Sequence, residues 1–293
     1  MRIAITGASG LIGSALTTSL TDDDHEVIRL VRREPTASDE VRWDPKAGDV
    51  DLTGLTGVES IIHLAGAGVG DHRWTDAYKQ EIHDSRVLGT QTIARAASEL
   101  RVESLISGSA IGYYGDRGDE RLTEGSAKGF GFLSDVVADW EAAAEPAEVG
   151  GVRVAYARTG LVVSADGGAW KRMLPLFKAG IGGRLGSGDQ YWSFISLADE
   201  VKALRFLIDH QSISGPVNLS APEPVTNREA TKVLASALHR PSFAAVPAFA
   251  LKIALGEFSS DVLGSTRAIP TSLTEAGFTW TEPTMQEALA AII

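Results

Sequence analysis

The sequence predicts an α/β protein built on a doubly wound parallel sheet, and three observations support this. A short β-branched strand pattern at Arg2–Thr6 is followed at once by a glycine-rich turn and then by helical apolar spacing. Strand and helix patterns alternate from there to about residue 157. The 293 residues suffice for one large α/β domain with an appended lobe. Alternation of this kind implies parallel strands joined by right-handed crossovers, which is a Rossmann architecture.

The remaining elements follow in chain order. Further strands are predicted at 26–31, 41–44, 58–64, 102–107 and 152–157, and helices at 14–20, 74–100 and 132–144. Past Arg158 glycine and proline become frequent, and short helices are predicted at 197–209, 226–238 and after Thr284. We therefore expect a dinucleotide-binding Rossmann domain over 1–160. Residues 161–293 are expected to form a C-terminal substrate lobe, with elements that return to the Rossmann domain.

The turn after the first strand is the strongest functional signal. A glycine pattern alone is weak evidence, but this one follows a strand and opens a helix. Glycines permit a tight turn and close backbone approach, and a helix N-terminus offers free N–H groups to an anion. The segment therefore predicts a dinucleotide-binding cradle. Its predicted cofactor-binding residues are Gly7, Ser9, Gly10, Leu11, Ile12 and Gly13.

The end of the second predicted strand indicates which dinucleotide is bound. An acidic residue there hydrogen-bonds the ribose 2′-hydroxyl of NAD, whereas an arginine suits the 2′-phosphate of NADP. This strand ends at Arg32 and Arg33, with Glu34 one place later. The two arginines are alternatively explained as solvated surface residues. With the cradle just upstream, we expect the cofactor to be NADP(H), contacted by Arg32 and Arg33.

Composition limits the other partners. The net charge of −11 and a pI near 5.0 argue against nucleic acid and anionic membranes. The absence of cysteine excludes disulfides, thiol catalysis and thiolate metal sites, and no metal site is predicted. The N-terminus enters a strand directly, and no apolar run reaches the length of a membrane span. We expect a cytoplasmic protein.

Motifs along essentially the whole chain carry a family resemblance. The opening segment from Thr6 to Gly13 resembles the extended branch of the short-chain dehydrogenase/reductase family. The full set is similar to its atypical subgroup, the epimerase family proteins. The motifs are Arg73-Trp74-Thr75, Lys79-Gln80-Glu81, Ser85-Arg86, Gly108-Ser109-Ala110-x-Gly112-Tyr113-Tyr114-Gly115, Trp140-Glu141-Ala142-Ala143, Arg158-Thr159-Gly160, Met173-Leu174-Pro175, Gly186-Ser187-Gly188-x-Gln190 and Arg267-Ala268-x-Pro270.

The resemblance implies further site residues. The segment from His63 resembles the strand end that lines the adenine side in this family, while His63 itself is interpreted as a packed structural residue. Ser109 matches the serine that hydrogen-bonds the reacting carbonyl. The cofactor-binding residues implied in this way are Leu64, Ala65, Gly66, Glu81, Arg86 and Val162.

Departures from the family pattern concern catalysis. Extended members carry Tyr-x-x-x-Lys on the next helix, and those positions here are Leu133 and Val137, which cannot transfer a proton. The usual fourth-helix asparagine is Arg86, so only Ser109 remains of the four catalytic positions. Arg86 offers a rigid fork for phosphate or carboxylate. We expect it to hold the cofactor diphosphate or 2′-phosphate, with Glu81 nearby.

Replacement groups for catalysis follow Ser109 in the sequence. Tyr113 and Tyr114 come at the carboxyl end of the fifth predicted strand, where ligands bind. Either phenol is a candidate proton donor, assisted by Lys79, Arg86 or Lys128, and packing under the glycine-rich loop is the alternative. The aromatic-polar cluster Gln190–Ser193 is interpreted either as a substrate-pocket wall or as interior packing.

We therefore expect an NADP(H)-binding oxidoreductase or epimerase-like protein that acts on a small polar substrate. Its proposed catalytic residues are Ser109, Tyr113 and Tyr114. The alternative is a non-catalytic NADP(H)-sensing or regulatory protein, because the usual Tyr and Lys are missing. The expected partners are a small-molecule substrate and, for the chain itself, a second copy in a homodimer.

Overall fold

Strands and helices alternate through the computed structural model, which describes residues 1–293. The strands are β1 (Arg2–Thr6), β2 (Glu26–Val31), β3 (Glu40–Asp44), β4 (Asp49–Val50), β5 (Ser60–His63), β6 (Ser104–Ala110), β7 (Arg121–Leu122), β8 (Arg153–Thr159), β9 (Leu161–Val163), β10 (Arg184–Leu185), β11 (Tyr191–Trp192), β12 (Phe194–Ser196), β13 (Gly215–Leu219), β14 (Val225–Thr226), β15 (Ala245–Val246) and β16 (Arg267–Ala268). The α-helices are α1 (Leu11–Asp22), α2 (Asp76–Leu100), α3 (Phe132–Ala142), α4 (Glu145–Val149), α5 (Gly168–Lys178), α6 (Leu197–Asp209), α7 (Asn227–Ala237), α8 (Ala248–Leu255), α9 (Ser259–Leu263), α10 (Thr271–Glu275) and α11 (Met285–Ala290). Two 3₁₀ turns lie at Ile111–Tyr114 and Gly256–Phe258.

Eight of the strands form one sheet in the order β13-β8-β6-β5-β1-β2-β3-β4. All neighbours pair in parallel except β3 and β4, which are antiparallel. The predicted α/β Rossmann class is thereby confirmed. All six predicted strands are present, whereas β4 and β13 were not predicted.

The sheet is buried on both faces, and the two faces carry separate cores. Ile3 and Ile5 of β1 join a cluster with Leu16 of α1 and Leu204 of α6. Ala4, between them, points the other way into a cluster with residues of α2 and α4. Because successive strand side chains alternate between faces, a continuous apolar strand such as β1 serves both cores at once.

The strand order places the ligand crevice. β1 lies between β2 on one side and β5 on the other, and the chain leaves β1 toward β2 before it crosses back to β5. In doubly wound sheets the crevice outside the carboxyl ends of the strands at this reversal takes the ligand. The carboxyl ends of β1, β2 and β5 are Thr6, Val31 and His63. The residues just after these three ends therefore line the candidate site.

The part of the chain after 160 is joined to the Rossmann sheet at several points. β13 pairs with β8 at the sheet edge, and α6 packs against α1. Buried Asp199 accepts the backbone N–H groups of Thr281 and Glu282 at 2.7 and 2.9 Å, which fixes the segment before α11. Capping boxes open α7 at Thr226 and α11 at Thr284, as predicted. The domain boundary at 160/161 stays a prediction.

A second acidic side chain of α6, next to Asp199, is also buried without a cation. Glu200 of α6 is fully buried and accepts a 2.7 Å hydrogen bond from the hydroxyl of Thr159, and its second carboxyl oxygen has no partner. Burial raises the pKa of Glu200 to about 8, although the bond from Thr159 acts in the opposite direction. Glu200 is therefore predominantly protonated at neutral pH.

We expect the stability of the protein to fall as the pH rises from about 4.5 to about 8 through this group. Below that window Glu200 is protonated in the folded and the unfolded chain alike. Within it only the unfolded chain releases the proton, which favours unfolding by roughly 3–5 kcal/mol in total. Urea titrations of wild type and Glu200→Gln across this range measure the effect. The variant should show a shallower decline, while Glu145→Gln, a change of an exposed glutamate, should follow wild type; a Glu200→Gln slope equal to wild type contradicts the assignment.

Candidate functional site

The glycine turn between β1 and α1 is shaped by close backbone contacts. Gly7 has φ +69°, and the N–H of Gly10 donates to its carbonyl at 2.9 Å. A Cβ atom on Gly13 would lie 2.2 Å from the same carbonyl oxygen. Only glycine fits at 13, and glycine is strongly favoured at 7, because L side chains rarely adopt that backbone conformation.

The N-terminus of α1 is open toward the crevice. Gly10 is its N-cap residue and supplies no side-chain hydrogen bond, so the first N–H groups of the helix are free to meet an anion. Ser9 and Gly10 are exposed, and Leu11 is half-buried. Ile12, Leu64 and Val162 pack against the same core cluster, and a Cβ on Gly7 would lie 2.8 Å from the carbonyl carbon of Leu64. The structure thus brings the predicted cradle residues and Leu64 to one place.

The ends of β1 and β5 are tied together by Thr6. Its hydroxyl oxygen accepts the N–H groups of Leu64 and Ala65 at 3.1 and 3.2 Å, so its own proton is donated to Nδ1 of His63 at 2.7 Å. Burial and the charge of Arg86 lower the pKa of His63 to about 3. His63 is therefore neutral and fully buried, which confirms its interpretation as a packing residue.

The two arginines after β2 have different surroundings. Arg33 donates to both carboxylate oxygens of Glu40, at 2.8 and 2.5 Å. These hydrogen bonds hold the pKa of Glu40 at about 2. Arg32 is exposed and forms no hydrogen bond or ion pair with any residue. The structure therefore leaves Arg32 free for a ligand but engages Arg33 in an internal pair, which disfavours the predicted contact between Arg33 and cofactor.

Every acidic side chain near the end of β2 already forms an ion pair with an arginine. Asp39 accepts from Arg29 at 2.7 Å, and Glu34 pairs with Arg42 at 2.9 Å. Glu40 is shared between Arg33 and Arg29. No carboxylate therefore remains unpaired there to accept a bond from a ribose 2′-hydroxyl.

Arg86 lies on α2 and contacts the loop after β5. Its Nη1 donates to the carbonyl of Ile82 at 3.0 Å, and its guanidinium lies 5.0 Å from the ring centroid of Trp140. The Arg86 side chain also lies against the loop after β5: a Cβ on Gly66 would be 3.3 Å from the Arg86 Cζ. Burial lowers the pKa of Arg86 to about 10, so the group is still charged at neutral pH. It has no carboxylate partner; Glu81 is exposed and does not pair with it.

The hydroxyl of Ser109 is engaged by an internal carboxylate. It donates to Glu141 at 2.6 Å, and Glu141 holds Arg158 through two further bonds of 2.7 Å. Ser109 is only 4 % exposed, and Arg158 3 %. A hydroxyl committed to an internal carboxylate is not available to polarise a substrate carbonyl. The structure therefore disfavours the predicted catalytic role of Ser109.

The two tyrosines that follow have separate environments. Tyr114 has no exposed surface; its hydroxyl donates to Asn218 at 2.8 Å and accepts from Arg158 at 3.0 Å. Burial raises the pKa of Tyr114, against the opposing effect of Arg158. The structure therefore gives Tyr114 a packing role instead of the predicted catalytic one. Tyr113 is half-buried, forms no hydrogen bond through its hydroxyl, and stacks over Arg158 at 3.6 Å.

The cation beside Tyr113 is therefore Arg158, and not one of the three predicted for it. Lys79 pairs with Glu257 at 2.7 Å and Lys128 pairs with Asp135 at 2.5 Å. Arg86 stacks on Trp140 instead. The charge of Arg158 beside the phenol is already neutralised by its ion pair with Glu141.

On α3, the two positions that carry the acid–base pair in the resembling family are apolar. A Cβ on Gly112 would lie 3.7 Å from Cβ of Leu133 and 3.9 Å from Cγ2 of Val137, so both residues border the turn after β6. Glu141 stands on the same face, four residues after Val137. Its place in the Trp140-Glu141 motif was visible in the sequence, but its role as the acceptor of Ser109 and Arg158 was missed. The i, i+4, i+8 spacing from Leu133 was the available signal.

The Gln190–Ser193 cluster is largely interior. Gln190 donates to the carbonyl of Leu185, and Ser193 donates to that of Thr266. Both residues are buried, while Tyr191 and Trp192 are half-buried. This favours the packing interpretation for Gln190 and Ser193.

No helix in the structure has both the length and the apolar character needed to cross a membrane.

Sequence comparison assigns the chain to a family. Residues 3–220 match the model of the NAD dependent epimerase/dehydratase family, and residues 246–292 match a domain of unknown function, DUF1731. The chain therefore belongs to the NAD dependent epimerase/dehydratase family, and the predicted resemblance is confirmed. Epimerase family protein Mb2239 of Mycobacterium bovis is 46% identical over 288 residues, which cover 98% of this chain and 96% of the relative.

Two solved structures agree with this assignment. Human epimerase family protein SDR39U1, solved with NADPH, has a TM-score of 0.91 and 28% identity, and the match covers 100% of this chain and 99% of that one. A nucleoside-diphosphate sugar epimerase from Corynebacterium glutamicum has a TM-score of 0.83 and 37% identity. That match covers 99% of this chain and 57% of the other.

Proposed function

We propose that this chain binds NADP(H) in preference to NAD(H) and acts as an oxidoreductase or epimerase-like protein on a small polar molecule. The observation that carries the proposal is the unpaired Arg32 beside a glycine cradle in which every nearby carboxylate is already neutralised. A 2′-phosphate supplies the anion that this guanidinium lacks. The NADPH in the human relative SDR39U1 supports the same cofactor.

In this proposal, different residues of the crevice contact different parts of the cofactor. The free N–H groups after Gly10 meet the diphosphate, and the loop Leu64–Gly66 and Val162 supply the walls. Arg86 offers its guanidinium to a phosphate from the α2 side. The nicotinamide, when bound, supplies hydride transfer at its C4 atom.

Arg32→Ala should weaken NADPH binding roughly tenfold to a hundredfold and leave NADH binding nearly unchanged. The physical reason is the loss of a charge-assisted bond to the 2′-phosphate, worth about 1.5–3 kcal/mol. Calorimetric titration with both cofactors measures it. Arg240→Ala, which removes an exposed arginine without an ion pair in the C-terminal part of the chain, is the matched control and should retain wild-type selectivity. Equal affinity of the wild type for NADPH and NADH contradicts the proposal.

Arg86→Ala should weaken NADPH binding by at least about tenfold, and Arg86→Lys should restore it only in part, because lysine lacks the planar fork. Fluorescence titration of NADPH gives the affinities. Arg95→Ala removes an exposed arginine from the same helix and should leave the affinity unchanged. Wild-type affinity in Arg86→Ala would assign the guanidinium to a substrate or to packing.

The lack of a proton donor at the family's acid–base positions favours a second, non-catalytic function. Leu133 and Val137 are apolar, the Ser109 hydroxyl is bound to Glu141, and Tyr114 is fully buried. A protein that senses the ratio of oxidised to reduced cofactor needs the cradle and no proton donor. The alternative proposal is therefore a non-catalytic NADP(H)-sensing protein.

Tyr113→Phe separates the two functions. Tyr113 is the phenol with an unengaged hydroxyl near the β6 end, and loss of a general acid costs roughly two to four powers of ten in rate. We expect wild type to oxidise NADPH with some member of a panel of small aldehydes and ketones, and Tyr113→Phe to lose that rate but keep its NADPH affinity. Tyr114→Phe should instead lower the thermal midpoint. Full turnover in Tyr113→Phe rejects the tyrosine, and no turnover by wild type on the panel supports the sensor.

A further inference from the structure

The motif Arg73-Trp74-Thr75 takes no part in the cofactor contacts proposed above, yet two of its side chains reach a distant part of the chain. Arg73 donates from Nη2 to the carbonyl of Ile253 at 2.8 Å. The ring centroid of Trp74 lies 5.3 Å from that of Phe258. Both partners belong to the segment 253–265, which contains the end of α8, the second 3₁₀ turn and α9. We call this segment the strap.

One end of the strap is bound to the loop after β5 and to the start of α2. Lys79 of α2 pairs with Glu257 at 2.7 Å. A Cβ on Gly70 would lie 3.2 Å from Cε1 of Phe258, so the Phe258 ring lies against this loop. The first residues of the same loop, Leu64–Gly66, are the proposed walls of the cofactor crevice. The strap therefore contacts the loop that is expected to contact the cofactor.

The other end of the strap is bound beyond β6. The carbonyl of Ser265 accepts the N–H of Arg117 at 2.9 Å, and the N–H of Ser265 donates to the carboxylate of Asp116 at 3.1 Å. Both partners follow the 3₁₀ turn that ends at Tyr114. Because β5 and β6 are parallel neighbours, the loops after them meet at the carboxyl edge of the sheet, where ligands bind. The strap therefore spans this edge from one loop to the other.

Phe258 is the apolar anchor of the strap. It packs against a buried cluster of Trp74, Ile82 and Val136, which joins the loop after β5 to α2 and α3. Leu133 of α3 packs against the same cluster. Leu133 holds the position of the acid–base tyrosine in the resembling family. An apolar side chain at this position thus extends the surface on which Phe258 lies.

The strap is held by fewer buried contacts than the elements beneath it. Of residues 252–264, only Ser259 is buried. The side chains of Lys79 and Glu257 are 25 % and 52 % exposed, and an exposed ion pair contributes little to stability. Gly256, with φ +64°, lies where α8 ends, and small residues at the end of an element are common hinge positions. A segment of this kind opens at a low free-energy cost.

We propose that the strap is a lid that closes over bound NADP(H) and opens for the cofactor to enter or leave. The inference rests on the proposed function, which supplies the ligand. Because one loop contacts both the cofactor and the strap, occupancy of the crevice and closure of the strap are coupled. Closure also keeps water from the carboxyl edge near Tyr113. Arg73, Trp74 and Lys79 hold the lid closed, which gives these motif residues a role.

The rate of NADPH release tests the lid. Protein loaded with NADPH is mixed with excess NADP⁺ in a stopped-flow instrument, and the loss of bound NADPH fluorescence is followed. Phe258→Ala should raise the release rate roughly tenfold to a hundredfold, because the closed strap loses its apolar anchor. Phe249→Ala is the matched control: it removes a 69 % exposed aromatic side chain from α8 and should release NADPH at the wild-type rate. Circular dichroism melts establish that both variants are folded.

The ion pair gives a smaller but reversible effect. Lys79→Ala and Glu257→Ala should each raise the release rate roughly twofold to fivefold, as expected for a partly exposed pair. The charge exchange Lys79→Glu/Glu257→Lys should return the rate toward the wild-type value, which neither single charge reversal should do.

Cross-linking gives the decisive result, because the chain has no cysteine and introduced thiols are unique. In Lys79→Cys/Glu257→Cys, a short bis-maleimide with an internal disulfide ties the strap to α2, and reductant cuts it again. Protein cross-linked with NADPH bound should retain it, and protein cross-linked without NADPH should not take it up. The same variant treated with N-ethylmaleimide is the control and should exchange NADPH freely, as should the cross-linked protein after reduction.

The possible failures are distinguishable. If wild type does not bind NADPH, the proposed function is overturned and the lid with it. If wild type binds NADPH but Phe258→Ala releases it at the wild-type rate, the lid alone is overturned. Free exchange of NADPH in the cross-linked protein overturns the lid in the same way.

Discussion

The buried ion pair between Glu141 and Arg158 determines the arrangement of the carboxyl edge of the sheet. It joins α3 to β8, and Ser109 of β6 and Tyr114 add their hydroxyls to it. Tyr114 extends the network to Asn218 of β13. Removal of one partner from such a pair costs about 3–5 kcal/mol, because an uncompensated charge stays buried. The network therefore joins α3, three strands and the 3₁₀ turn at Ile111–Tyr114, and it engages two of the three hydroxyls expected to be catalytic.

This network also marks the limit of prediction from the sequence. Local sequence patterns predicted the Rossmann class, the long strands and helices, the cradle and both capping boxes. Each of these depends on residues that are close together in the sequence. The direction of the Ser109 hydroxyl was not, because its acceptor Glu141 is 32 residues away and approaches only when α3 packs on the sheet. β13 was missed because its strand pattern is short and follows a helix in the irregular part of the chain.

The difference between Arg32 and Arg33 has the same origin. Adjacent in sequence, they are chemically equivalent until β3 is placed beside β2 and brings Glu40 within reach of Arg33. Pairing with Glu40 removes Arg33 from the ligand side and leaves Arg32 as the one unpaired charge of the two. Tertiary pairing, not residue type, thus selects which arginine can meet a phosphate.

The predicted cofactor cradle and the positions that carry the acid–base pair in the resembling family lie on different elements of this fold. The cradle follows β1 and opens α1, Arg32 follows β2, and Thr6 joins the end of β1 to the loop after β5. The acid–base positions belong to α3, where Leu133 and Val137 preserve packing against the turn after β6. Apolar residues at positions 133 and 137 therefore leave the hydrogen bonds of the cradle intact, while Trp140 of the same helix lies against Arg86. Arg86 is buried without a carboxylate partner, and this desolvation lowers its pKa to about 10, so an anionic ligand would offset a cost that the fold leaves uncompensated.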